Sequence, residues 1–184
     1  LGNFVIRRHR SVVIVSVVFT AFCAVGLFSI EPAFDVERTM GRKVPYVDRF
    51  LDLCQTELGS MYSYDVMIVL PKAGDAKLPS NLEKLDKLSR IAQTYKLTKR
   101  HNSILDIIKD MNCTLNANKD SAYTIPHDPN MVAQLLLLYE NAGGTEAEYW
   151  MDYDYKRLRL QIELNSYNSN EAEKEMQLIE QEAQ

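Results

Sequence analysis

The chain has 184 residues, a length typical of one domain. Its 21 basic and 25 acidic residues give a formal net charge of −4, which argues against a nucleic-acid binder that tracks phosphates. Its three cysteines are too few and too scattered for a disulfide scaffold or a cysteine-rich zinc site.

Residues 11–30 contain no charged side chain and are rich in valine, phenylalanine and alanine. As a helix this segment is about 30 Å long, the thickness of a bilayer core, so we expect a transmembrane helix. A signal peptide and a buried core helix are the alternatives, but a signal peptide has a shorter apolar region.

The flanks of this segment set its expected orientation. Arg7, Arg8 and Arg10 precede it, and Glu31 and Asp35 follow it. The positive-inside rule then predicts that residues 1–10 are a cytoplasmic basic flank and that residues 31–184 form an extracytoplasmic domain.

The predicted elements of the outer region begin with a helical stripe after Pro45 and a buried strand over residues 64–70. Ser80 and Glu83 have the spacing of a capping box, which predicts a helix from Ser80. A short strand is expected over residues 96–101.

Two further helices carry start signals. Ser103 is expected to cap a helix over residues 103–115, with Asp106 in its first turn. Asp128 and Pro129 predict the start of the next helix, which Gly143 ends.

The last part of the outer region predicts a long strand over residues 149–164, with a change of buried face near Lys156, and then a helix over residues 171–184. The resulting order, β-α-(β)-α-α-β-α, fits an α+β sheet of the split βαβ type with helices on one face. A closing strand is missing from this order, so we expect residues 31–184 to be truncated at the C-terminal end.

The densest aromatic group offers a candidate binding site. It consists of Tyr149, Trp150, Met151, Tyr153 and Tyr155. Aromatic and methionine side chains suit an amphiphile-binding cleft, since they combine apolar area with polar edges. Ordinary sheet packing is the alternative.

Other candidate chemistry is sparse. Cys54 and Cys113 could form a disulfide outside the cytoplasm, or both could remain buried thiols. The three histidines are far apart, and no phosphate loop, dinucleotide fingerprint or nucleophile elbow is present, so neither an enzyme, a metal site nor a cofactor is expected. Lys96, Lys99 and Arg100 could receive anionic head groups.

The order of segments resembles one repeat of a resistance-nodulation-division (RND) exporter, of the hydrophobe/amphiphile group related to MmpL and Patched proteins. The stretches that carry the resemblance are Phe4–Arg10, Ser103–Asn112, Ile125-Pro126, Ala133–Glu140, Gly143-Gly144 and Asp152–Tyr155. They are spread along the chain, and the resemblance in the order and spacing of segments runs over about residues 4–175.

The resemblance implies a first membrane helix followed by a porter domain with ferredoxin-like subdomains, in the inner membrane of a bacterium. Proton flow through other helices of such exporters drives the outward movement of lipids or drugs. The proton-relay residues of the family lie on helices outside this chain. The implied partners are the bilayer, the rest of the transporter and an amphiphilic substrate, with a homo-oligomer open.

A second hypothesis is different in class. A single-span, membrane-anchored sensor or assembly factor would share the apolar segment and the outer α+β domain, but it would bind a ligand or a protein and transport nothing.

Overall fold

The structure is a computed structural model that describes residues 9–28, 39, 41, 44–57, 59–60, 62–166 and 168–183. The chain divides into two units, residues 1–33 and residues 34–184. Each is described by itself below.

The first unit contains helix α1, His9–Phe28. It covers most of the segment predicted to cross a membrane, and its large apolar side chains between Val13 and Val25 are exposed. Residues 29 and 30, and the side chains of residues 9, 11–12 and 26–28, lie outside the described residues. In the part of the chain that the structure describes, no helix combines the length and the apolar character needed to cross a membrane.

The second unit is an α+β domain, as the sequence predicts. Its elements in chain order are α2 (Pro45–Gln55), β1 (Tyr62–Val69), α3 (Pro79–Gln93), β2 (Thr98–Ser103), α4 (Ile104–Leu115), α5 (Pro129–Asn141), α6 (Ala147–Trp150), β3 (Arg157–Leu164) and α7 (Ser169–Ala183). Short 3₁₀ turns at Asp75–Lys77 and Asp120–Ala122 join some of them.

The three strands form one sheet in the order β1-β3-β2. Both outer strands are antiparallel to β3, so β1 and β2 run parallel to each other with β3 between them. The register pairs Tyr62 with Leu164 and Val69 with Arg157, and β2 has an irregularity between Thr98 and Arg100.

The core lies on one face of this sheet. Alternate residues of β3 point into it and are almost fully buried, namely Leu158, Leu160, Ile162 and Leu164. They join the apolar faces of α3, α4, α5 and α7 in a single hydrophobic cluster. The opposite face of the sheet carries polar and charged residues, with Met67 and Val69 exposed at one end.

Two predicted helix starts are confirmed and one is wrong. Ser103 caps α4 in a reciprocal capping box with Asp106, and Asp128 caps α5 through the amide of Asn130. The box predicted at Ser80 does not form, because Pro79 begins α3 one residue earlier and Leu78 is the N-cap.

The predicted strand over residues 149–164 is also wrong in its first half. Residues 147–150 form α6, a turn follows, and only Arg157–Leu164 is a strand. Met151 makes one isolated bridge to Leu158. The turn explains why the buried face changes near Lys156.

Candidate functional site

The aromatic segment predicted as a binding site is divided between two places. Tyr149 lies beside the open face of the sheet, where the guanidinium of Arg159 stacks 3.8 Å from its ring centroid. Gln161 donates a hydrogen bond to the Tyr149 hydroxyl at 3.3 Å. The Trp150 ring lies edge-on to the Tyr149 ring, with the two ring centroids 4.8 Å apart. Trp150 is partly buried against the core.

The other three aromatic-segment residues line a small cavity of about 210 Å³. Met151 is buried at its base, whereas Tyr153 is 83% exposed at its rim. The cavity is also lined by Tyr155, by the carboxylates Glu140, Glu148 and Asp152, and by residues of α5 and α6. The structure therefore brings Met151, Tyr153 and Tyr155 together but separates Tyr149 and Trp150 from them.

A tight turn fixes the position of Tyr155. Asp152 Oδ1 accepts hydrogen bonds from the amides of Lys156 at 2.6 Å and Arg157 at 2.8 Å. Tyr155 takes a φ of +50°, an uncommon conformation for a residue with a side chain. The Lys77 ammonium lies 3.2 Å from the Tyr155 ring centroid, and the Tyr155 carbonyl accepts from the Ala76 amide at 2.9 Å.

The electrostatics of this turn follow from those bonds. Partial burial alone would raise the pKa of Asp152, but the two amide donors and nearby Arg157 outweigh it and lower the pKa below 3.8. Burial and a hydrogen bond to Glu140 raise the pKa of Tyr155, whose hydroxyl donates to Glu140 Oε1 at 3.1 Å. The Asp152 carboxylate and the Tyr155 hydroxyl therefore hold the turn in position.

The basic residues proposed for anionic head groups are engaged within the domain. Lys99 Nζ donates to the carbonyls of Cys54, Thr56 and Gly59. Arg100 Nε bonds Glu163 Oε2 at 2.8 Å, and Lys96 pairs with Glu171 at 2.9 Å. They hold the segment after α2 and the start of α7 against β2, so a head-group site at these residues is not supported.

Of the two alternatives left open for Cys54 and Cys113, the structure has the free thiols, with Cys54 buried and Cys113 partly exposed. Cys54 is buried beside Lys99, near the start of β2, whereas Cys113 is in the last turn of α4, which starts at the far end of β2. The Cys113 thiol donates instead to the Lys119 carbonyl at 3.4 Å.

No histidine joins a metal site in the described ranges, where no group of three or more His, Cys, Asp or Glu residues could hold an ion. His127 is exposed and only 3.7 Å from Glu83. His101 lies on β2, and its Nδ1 is buried without a partner among the described residues.

Two further concave surfaces among the described residues were not predicted from the sequence. One is a groove between β1 and the last turns of α7, with a volume of about 460 Å³, and the other is a cavity of about 390 Å³ that adjoins it on the α3 side. Ile68, Val69 and Ala183 line both. We call the first of these the β1–α7 groove.

Two buried polar atoms without a hydrogen-bond partner among the described residues lie near the groove. Glu175 on α7 accepts a hydrogen bond from the Leu97 amide at 3.0 Å, and its second carboxylate oxygen has no partner among the described residues. The hydroxyl of Tyr64, which lines the groove, is likewise unpartnered there. Burial, and then nearby Glu175 and Tyr95, raise the pKa of Tyr64. Tyr64 and Glu175 are far apart in the sequence, so no local sequence pattern predicts that they lie near each other.

Comparison with known proteins gives no relative: no protein-family model, no curated protein and no solved structure matches the chain.

Proposed function

We propose that the chain is the first membrane helix of one repeat, with most of its porter domain, of an RND-type, proton-driven exporter of hydrophobic or amphiphilic molecules. In this role residues 34–184 bind and hand on substrate as subdomains move against one another, and they carry out no covalent chemistry.

The observation that carries the proposal is the sheet order β1-β3-β2. Two parallel strands, β1 and β2, are joined through helix α3 and separated by an antiparallel strand, with helices against one face. This is the arrangement of a split βαβ unit, the basis of the ferredoxin-like subdomains that the resemblance implies.

Contacts made by some of the stretches that carry the resemblance are compatible with the proposal. Asn112, at the end of one stretch, donates to the Thr124 carbonyl at 3.0 Å, next to Ile125-Pro126. Tyr155 and Glu140, from two other stretches, share the 3.1 Å hydrogen bond described above.

The membrane anchor in this proposal rests on the sequence. Residues 11–30 are uncharged, arginines precede them, and the large apolar side chains described in α1 are exposed. Since residues 11–30 contain no Asp, Glu, Lys, Arg or His, the residues that couple transport to proton flow belong to other helices of the exporter.

The rival hypothesis is a single-span sensor or assembly factor. A division of the chain into one helical unit and one α+β unit suits it equally well. The two differ in what the cell loses when the gene is deleted: an exporter mutant accumulates substrate, whereas a sensor mutant loses a response.

The test is an accumulation assay in source cells with the gene deleted, using an apolar fluorescent dye as the probe. We expect more dye in the deletion strain, recovery when the gene is restored, and loss of that recovery when a protonophore collapses the proton gradient. Equal dye in deleted and restored cells, for a panel of apolar and amphiphilic dyes, would contradict export.

A further inference from the structure

The cavity beside α3 combines an apolar interior with two lysines, and we call it the α3 cavity. Its volume of about 390 Å³ falls in the range of about 300–1,000 Å³ that is typical of small-molecule sites. Ile68 and Leu70 line it at the end of β1, and Leu88 and Ile91 line it from α3. It therefore lies between a strand and a helix of the core, with room for one apolar chain.

The interior of the α3 cavity is apolar in two layers. Leu85, Leu88 and Leu158 line it and are at most 4% exposed, so they belong to the core. Ile68 and Ile91 are only partly buried. They leave apolar surface that a ligand can cover, and removal of such surface from water favours binding.

Lys84 and Lys87 line the same cavity and are exposed. They are three residues apart on α3, so they are neighbours on one face of the helix. Neither forms a hydrogen bond or an ion pair with any residue that the structure describes. Lys96 and Lys99 differ in this respect, because both are engaged within the domain. The lysines of the α3 cavity are thus free to bind an anion.

The acidic groups around α3 leave these two positive charges in excess. Glu182 lines the cavity from α7 and opposes them with one negative charge. Asp86 forms ion pairs with two other basic residues, and Glu83 faces a histidine. The charged side chains that line the cavity are therefore two ammonium groups and one carboxylate.

The adjoining β1–α7 groove has the opposite charge, since its charged lining residues are Asp65 and Glu180. Ile68, Val69 and Ala183 line both spaces, so apolar surface continues from one to the other. An apolar chain can follow that surface in either direction. A negative head group is favoured only at the lysine end.

We propose that the α3 cavity binds a single-chain amphiphile with an anionic head group. Lys84 and Lys87 bind the head group, and the chain lies against Ile68 and Ile91. The inference rests on the proposed function and narrows its substrates to anionic amphiphiles. It also places the head group on α3, away from the basic stretch at Lys96.

The test is photo-cross-linking of the 184-residue chain with a diazirine-bearing dodecanoate, mapped by peptide mass spectrometry. We expect cross-links at residues 68–70 and 85–91 that unlabelled dodecanoate suppresses. Cross-links that map to α1 and not to these residues would overturn the site.

The head-group lysines have a matched control. Lys84→Gln with Lys87→Gln should lower cross-linking in the cavity about three- to tenfold, because two exposed ion pairs of modest strength are lost. Lys96→Gln with Lys174→Gln removes the same charge from exposed positions that do not line the cavity, and it should leave the yield unchanged. Equal yields in the two double variants would contradict the role of Lys84 and Lys87.

Charge reversal separates recognition from damage to the fold. Lys84→Glu with Lys87→Glu should lower cross-linking by the dodecanoate probe and raise it for a dodecylammonium probe with the same photoreactive chain. A variant with an unchanged Tm that gains nothing with the ammonium probe would overturn the assignment of the head group.

The outcomes also separate this site from export. Absence of cross-links in the cavity, with dye accumulation in the deletion strain, would overturn the anionic site and leave the exporter standing. Cross-links in the cavity, with equal accumulation of dyes and of dodecanoate in deleted and restored cells, would support the site and overturn export.

Discussion

The Asp152 carboxylate lies 2.6 Å from the backbone nitrogen of Lys156 and accepts its hydrogen bond. With the second bond, from the Arg157 amide, it closes the turn that leads into β3. This turn determines where the sheet begins and where Tyr155 points.

Removing the Asp152 carboxylate should therefore destabilise the domain. We expect Asp152→Ala to lower the free energy of unfolding by about 1–3 kcal/mol, because two amides lose their acceptor. Asp152→Asn keeps one acceptor oxygen and should cost less. Asp154→Ala, in the same turn, is the matched control, since that side chain is exposed and should change stability by at most about 0.5 kcal/mol. Urea unfolding measures all three, and an equal loss for Asp154→Ala would contradict the assignment.

The same carboxylate should give a defined pH dependence. Its pKa in the folded state is lowered, so its contribution is fully present above the ordinary value of 3.8 and is lost as the pH falls through the folded pKa. The difference in unfolding free energy between the wild type and Asp152→Asn should shrink below about pH 4. A difference that grows on acidification would show that the carboxylate is not stabilised by these amides.

Lys99 should hold the segment that follows α2. Its ammonium donates to three carbonyls between Cys54 and Gly59, and charged hydrogen bonds of this kind are each worth about 1.5–3 kcal/mol. Lys99→Met should make cleavage after Glu57 by a glutamate-specific protease faster by about tenfold or more. Lys96→Met is the control, because Lys96 forms an exposed ion pair with Glu171 on α7 and not with the segment after α2. Equal cleavage rates in the two variants would refute the role of Lys99.

Because the core lies on one face of the sheet, substitutions on the two faces should differ in their cost to stability. Ile162 is fully buried, and Ile162→Ala should cost about 2–5 kcal/mol. Met67→Ala removes a side chain that is 54% exposed on the other face, and its cost should be below about 1 kcal/mol. Chemical denaturation of both variants measures these costs, provided that the dependence of the unfolding free energy on denaturant concentration is unchanged. Similar losses of stability in the two variants would mean that both faces of the sheet are covered.

Local signals in the sequence were sufficient for much of the fold. The caps at Ser103 and Asp128 depend on neighbours within three residues, and both were predicted. The start at Ser80 was wrong because Pro79 provided a stronger start signal one residue earlier. Alternation alone could not separate Met151 from β3, since the turn depends on an aspartate whose partners lie four and five residues ahead.

The candidate site was harder to predict, because tertiary contacts define it. Tyr149 and Tyr153 are four residues apart, yet one lies by the open sheet face and the other at the cavity rim. The groove joins β1 to α7, more than a hundred residues later, and neither segment has a motif that indicates the other. Only the folded chain brings them together.

The size of the native polypeptide tests the central claim most directly. An antibody against residues 62–166, used on membranes of the source cell and read on a denaturing gel, gives that size. The exporter account predicts a membrane-bound band several times larger than 21.1 kDa. A band near 21.1 kDa would contradict it and favour the sensor or assembly factor.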